Sequence, residues 1–142
     1  MAARMPIYLG DKAVEEFIIF CQKESFNRFF LIADGNTFDA LGRKVLKAIE
    51  ARDWDVEHIV LDPDHLHTNE RSITRVFTAY DAAPRLFMAV GSGTITDITR
   101  FTSHRSGNPF VSFPTAASVD AYTSKTSSVT IAGLKKSYFG QI

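Results

Sequence analysis

The stretch FMAVGSGTITDITRF, Phe87–Phe101, decides how this chain is read. It begins as an unbroken apolar run, passes through Gly91-Ser92-Gly93, and continues with apolar residues at helical spacing. An apolar run without alternation suits a strand buried on both faces. The glycines then mark a strand-to-helix junction. They either make a tight turn, or let the backbone come close to something bulky and anionic, such as a phosphate.

Working outward, similar apolar runs stand at FFLIAD (29–34), VEHIVL (56–61), RLFMAVG (85–91) and PFVSFPT (109–115). Amphipathic stretches separate them. Val14, Phe17, Ile18 and Cys21 fall at i, i+3, i+4 and i+7, and Ile73, Val76, Phe77 and Tyr80 repeat that spacing. Phe38, Leu41, Val45 and Ile49 keep a similar stripe. Strand and helix in alternation predict an α/β fold, Rossmann-like, with a mostly parallel sheet flanked by helices. The last part differs: TSSVTIAGLKKSYF (126–139) has two β-prone arms around Ala132-Gly133, which predicts a C-terminal β-hairpin.

Composition excludes several classes. At 142 residues and 45% hydrophobic, the chain fits one domain with a real core rather than a disordered one. Lys+Arg and Asp+Glu balance at 16 each, so no net field draws it to nucleic acid or an anionic membrane surface. No apolar run approaches the length of a membrane span, and MAARMPIYLG has too short an apolar run for a secretory signal. A cytoplasmic location is therefore expected. The single cysteine, Cys21, has no internal disulfide partner and is expected to pack in the core.

In an open parallel sheet, ligands bind beyond the carboxyl ends of the strands, where Gly91, Ser92 and Gly93 are predicted to lie. A helix starting near Thr94 aims its free N–H groups and positive dipole end at the same place. The pattern is not G-x-G-x-x-G, because position 96 is Thr, and the best strand-terminal acid, Asp34, precedes the loop rather than following it. On spacing alone, the phosphate loop and the plain turn both stay open. A second loop, FPTAASVDAYTS (113–124), follows the next strand and places small hydroxyl residues near one carboxylate, Asp120. Its residues also suit helix capping by Ser118 or Thr115.

VGSGTITDITRF followed by PFVSFPTAASVDAYTS resembles the sn-glycerol-1-phosphate dehydrogenases. These share a superfamily with glycerol dehydrogenase, the iron-containing alcohol dehydrogenases and dehydroquinate synthase. The resemblance runs from about FFLIADGNTFDALG to the chain end, and the two loops together carry it. The Thr-Gly-Thr-Gly-Ser-Glu loop of the iron-dependent alcohol dehydrogenases is missing here. The Val-Asp-Ser-Ser-Val-Gly-Gly-Lys run of dehydroquinate synthase is matched only at Val119-Asp120, after which this chain reads Ala-Tyr-Thr-Ser-Lys.

The resemblance implies a cofactor, NAD with NADP as the second option, and a role for each matching position. Asp34 would accept hydrogen bonds from the adenosine ribose and disfavour a 2′-phosphate. Gly91, Ser92, Gly93, Thr94 and Ile95 would cradle the pyrophosphate through backbone N–H groups. Asp97, placed on the first helical turn, would contact the nicotinamide end or else stabilise the helix N-terminus. Thr115, Ala116, Ala117, Ser118 and Ser124 would line the cofactor, and Asp120 would hold a substrate hydroxyl. The implied reaction is hydride transfer between NAD(P)H and dihydroxyacetone phosphate, a small phosphorylated triose, giving sn-glycerol 1-phosphate for phospholipid biosynthesis. In the family a zinc or nickel ion polarises the carbonyl.

The chain departs from that pattern in the metal site. The family's ligands, an Asp and two His, come from a helical domain that the resemblance places after residue 142. His65 and His67 read as a polar loop beside Asp62 and Asp64, His58 as part of a strand, and His104 as the end of a helix. No metal ligand is assigned. Residues 1–142 thus read as the cofactor-binding part of an oxidoreductase, truncated before its metal domain and inactive alone. The alternatives are a non-catalytic nucleotide-binding or assembly module derived from such an enzyme, and a lyase of the dehydroquinate-synthase type. A surface left uncovered by a second domain also implies self-association.

Overall fold

The computed structural model describes residues 13–114, 126–131 and 134–139, the last two ranges as backbone. Helix α1 (Ala13–Glu24) leads into β1 (Arg28–Asp34). A short helix α2 (Gly35–Thr37), a π turn (Phe38–Gly42) and α3 (Arg43–Glu50) follow without a break, then β2 (Asp55–Leu61). The chain continues through α4 (Glu70–Ala79), β3 (Leu86–Gly91), α5 (Gly93–Ser106) and β4 (Phe110–Pro114). Strands β5 (Thr126–Ile131) and β6 (Leu134–Phe139) pair antiparallel, as the predicted hairpin requires, while Ala132 and Gly133 at its turn lie outside the described residues.

The first four strands form one parallel sheet in the order β2-β1-β3-β4. Strands β1 and β3 are central, which explains their apolar runs: every residue from Phe29 to Asp34 and from Leu86 to Gly91 is buried. The period of two sorts their side chains into two layers. Phe29, Leu31 and Ala33 pack with Val14, Phe17, Cys21, Val45 and Ile49 under α1 and α3. Phe30 and Ile32 pack with Ile59, Leu61, Val76, Ile95 and Ile98 under α4 and α5. Phe17 anchors the first layer edge-on between Phe29 and Phe113, at centroid distances of 5.9 and 5.0 Å. Cys21 is fully buried there, and loss of hydration pushes its thiol up to about 12. No described helix is long and apolar enough to cross a membrane.

Two expected helices differ in detail. The stripe Phe38-Leu41-Val45-Ile49 crosses a π turn rather than running down one α-helix. Gly42 makes this possible, because a Cβ there would meet Phe38 Cδ2 at 2.7 Å. Helix α4 ends at Ala79, and its buried side is Ser72, Ile73 and Val76, with Phe77 turned outward. Tyr80 adopts extended backbone beyond the helix, and its ring stacks on Phe30 at 5.8 Å.

The amino ends of the strands are tied by a buried arginine that periodicity gives no reason to expect. Arg85 donates to Phe29 O (3.0 Å), to Asp81 (2.7 Å) and to Asp55 (3.2 Å). Its own amide donates to Asn108 Oδ1 at 3.0 Å, and Asn108 Nδ2 donates to the Tyr80 hydroxyl at 2.8 Å. One side chain thereby joins the entrances of β1, β2 and β3 at the end opposite the glycine loop.

Candidate dinucleotide site

The strand order reverses between β1 and β3: the chain leaves β1 toward β2 on one side and β3 toward β4 on the other. A crevice opens at such a switch point, outside the carboxyl ends of the strands. Ala33 is in register with Val90, so Asp34 and Gly91, the last residues of their strands, stand side by side at the switch point. Two expected site residues far apart in sequence are thus brought together.

Asp34 is buried, and one of its carboxylate oxygens is already in use. It caps α2: Oδ1 accepts from Thr37 N at 2.8 Å, while Asp34 N donates to Thr37 Oγ1 at 3.0 Å. This reciprocal capping box fixes the carboxylate's orientation. Oδ2 takes no hydrogen bond among the described residues and is left to accept from something else. Thr37 is not among the residues expected at the site, although an acid followed three residues later by a hydroxyl is a readable capping signal.

The glycine loop divides between packing and ligand chemistry. Gly91 ends β3 directly beneath the first turn of α5, where a Cβ would lie 2.9 Å from Cβ and Cγ1 of Ile95. Its lack of a side chain is therefore demanded by strand–helix contact, with or without a ligand. Ile95 itself is fully buried. Ser92 is the N-cap residue of α5 and has extended backbone, but its side chain makes no capping bond. Its carbonyl accepts from Thr96 N at 3.0 Å, so the amides of Gly93, Thr94 and Ile95 have no partner within the helix. By contrast, α2 and α4 both close their starts with capping boxes, from Asp34 and Asn69.

Asp97 is placed differently from the expectation. The first turn of α5 holds no acid; Asp97 lies just beyond it and pairs with Arg100 at 3.1 Å. Arg100 is fully buried, with its guanidinium carbon 5.7 Å from the centre of the Phe110 ring. Burial pulls the arginine below its ordinary value, and the neighbouring Asp97 carboxylate opposes that shift. Asp97 thus compensates a buried cation rather than the helix start.

Thr115, Ala116, Ala117, Ser118, Asp120 and Ser124 lie outside the described residues. Strand β4 ends at Pro114, in register with Gly91. His58 stands in β2, exposed and stacked on Phe38 at 5.6 Å; His104 is in the last turn of α5. His65 and His67 are exposed in the loop before α4. Among the described residues no three His, Cys, Asp or Glu side chains gather as a metal site would need.

Comparison with known proteins gives the family and the fold. The chain is 35% identical over 145 residues to the glycerol-1-phosphate dehydrogenase (NAD(P)+) of Bacillus velezensis, covering 94% of this chain and 36% of that protein. It is 33% identical over 136 residues to the enzyme of the same name from Geobacillus stearothermophilus, covering 94% of this chain and 34% of that one. The chain thus spans about a third of the length of these curated relatives. Among solved structures, maleylacetate reductase from Agrobacterium tumefaciens superposes with a TM-score of 0.77 at 16% identity, over 99% of this chain and 39% of that one, which shows the shared fold. The family model described as iron-containing alcohol dehydrogenase matches residues 8–142, and the chain belongs to that family.

Proposed function

We propose that this chain is the NAD(P)-binding part of a metal-dependent oxidoreductase of the glycerol-1-phosphate dehydrogenase type. The observation that carries the reading is the adjacency of Asp34 and the Gly91–Thr94 turn at the switch point. One element offers an oriented carboxylate oxygen, which suits ribose hydroxyls. The other offers uncapped amides at a positive helix end, which suits a pyrophosphate. Their placement on two neighbouring strands suits the ribose and the adjoining pyrophosphate of one dinucleotide.

In this reading Asp34 Oδ2 accepts from the ribose, while Oδ1 stays locked to Thr37 and prevents the carboxylate from turning away. The amides of Gly93, Thr94 and Ile95 bind the pyrophosphate. Thr115 to Ser118 and Ser124 line the cofactor from the loop after β4, and Asp120 orients a hydroxyl of the triose. The bound nicotinamide supplies the hydride that converts dihydroxyacetone phosphate to sn-glycerol 1-phosphate. The family's metal would be held by residues beyond those described. Fixing the dinucleotide in one pose is the chain's own contribution to the rate.

Titration of the purified chain with NADH, followed by calorimetry, tests the reading. Gly93 is the first residue of α5 and lacks the left-handed backbone found at Gly107, so Gly93→Val adds bulk without forcing a forbidden φ. The variant is expected to keep its circular dichroism and lose NADH binding. Normal binding by a folded Gly93→Val chain would sink the phosphate-cradle reading. Turnover of dihydroxyacetone phosphate is not expected from residues 1–142 alone, with or without added zinc or nickel; robust turnover would relocate the metal ligands into this chain.

A further inference from the structure

A second polar cleft, of about 300 Å³, opens at the carboxyl end of β2, between the loop after Leu61 and the start of α4. Leu61 pairs with Asp34 across the β1–β2 ladder, so the cleft begins on the strand next to Asp34, about 4.8 Å away backbone to backbone. It also lies on the same side of the sheet. Asp34 follows Phe30 and Ile32 in alternation, and those residues share a layer with Leu61 under α4. The loop touches the residue after Asp34, since a Cβ on Gly35 would sit 3.5 Å from Pro63 Cδ. A ribose held by Asp34 therefore has this cleft as its neighbour on the β2 side.

Two walls of the cleft are Arg71 and Arg75, four residues apart and on one face of α4. Both are exposed. The cleft also contains Asp62 and Asp64, yet neither arginine forms an ion pair with them or with any other described residue. Asp62 is occupied locally, with Oδ1 accepting from Asp64 N at 2.9 Å. Two guanidinium forks thus remain unspent at the edge of the ribose site. Planar donors of this kind match a phosphate monoester.

We propose that this cleft receives the 2′-phosphate of NADP(H), with Arg71 and Arg75 as its clamp. The proposal rests on the dinucleotide reading above and deepens it. It also assigns opposing roles to neighbouring residues. Asp34 favours an unmodified ribose by accepting from both hydroxyls and by repelling a phosphate, while the arginine pair offsets that repulsion. NADH then binds more tightly, and NADPH still binds, because the selectivity of Asp34 is partly cancelled from the β2 side.

The experiment compares NADH and NADPH by calorimetry on the wild-type chain and on Arg71→Gln/Arg75→Gln, with adenosine 2′,5′-bisphosphate and 5′-AMP as the minimal pair. Glutamine keeps the length and helix propensity at these exposed positions, and circular dichroism checks the fold. Loss of charge-assisted hydrogen bonds to the phosphate is expected to weaken NADPH and the bisphosphate by about tenfold or more, with NADH and 5′-AMP changed by less than about twofold. An unchanged NADPH-to-NADH ratio in the variant, or an equal loss of both, overturns the clamp while leaving the dinucleotide site in place. Failure of the wild-type chain to bind either dinucleotide overturns both readings together.

Discussion

Gly91 and Ile95 are in contact in a way that leaves no room for a methyl group: a Cβ built on Gly91 falls 2.9 Å from two carbon atoms of Ile95. One of those atoms is the Ile95 Cβ, which cannot swing aside without moving the helix. Gly91→Ala is therefore expected to push the start of α5 away from β3 and to cost about 1–3 kcal/mol, as overpacking of a close-packed site does. Thermal or urea unfolding measures it. An alanine variant as stable as the wild type would mean that α5 can shift freely, contrary to the packing of Ile95 and Ile98 into the layer below.

Asp34 has two separable duties, and two substitutions separate them. Asp34→Asn keeps an oxygen able to cap α2 but removes the charge that meets the ribose. It should leave stability within about 0.5 kcal/mol and narrow the preference for NADH over NADPH. Asp34→Ala removes both and should also cost about 1 kcal/mol, because the Thr37 amide loses its acceptor. A cofactor preference that is untouched in the Asn variant would count against the ribose role and leave Asp34 as a cap alone.

The Arg85 cluster makes a pH-dependent contribution whose direction follows from Asp81. The hydrogen bond from Arg85, reinforced by the Ala83 amide, lowers the Asp81 carboxyl from its ordinary 3.8 to about 2. The folded state thus binds this proton less readily than the unfolded chain. The contribution is fully present above about pH 4 and disappears as pH falls through the folded value. Asp81→Asn should flatten that part of the stability profile between about pH 4 and pH 2, measured by urea midpoints at each pH. Arg85→Ala should be worse at all pH values, by about 2–4 kcal/mol, since it also strips Phe29 O of a buried donor.

Ser112 offers a prediction of the opposite sign. Its hydroxyl is buried in β4 and has no hydrogen-bond partner among the described residues. Desolvating that group without a partner costs about 1–3 kcal/mol. Ser112→Ala should therefore be neutral or stabilising in thermal melts, unlike most core substitutions. A clear drop in melting temperature would show that the hydroxyl has a partner in the loop that follows β4.

The amino-acid sequence by itself determined the elements, their order and which residues turn inward. Apolar runs such as FFLIAD and LFMAV encode burial on two faces within a few residues, and α1's stripe from Val14 to Cys21 encodes one face of a helix. These are local periodicities, and nothing distant has to be known to read them. Local reading failed where a neighbour in space overrode the pattern. Phe77 is turned out while Tyr80 leaves the helix to stack on Phe30, and the stripe after Phe38 bends through a π turn because Gly42 accepts that ring. Only the tertiary structure decided the strand order, and with it the meeting of Asp34 and Gly91. It likewise decided that Asp97 answers the buried Arg100, and that Arg85 reaches Phe29 and Asp55 from far along the chain. Such contacts depend on how helices cover a twisted sheet, a cooperative packing outcome that no single window of sequence contains.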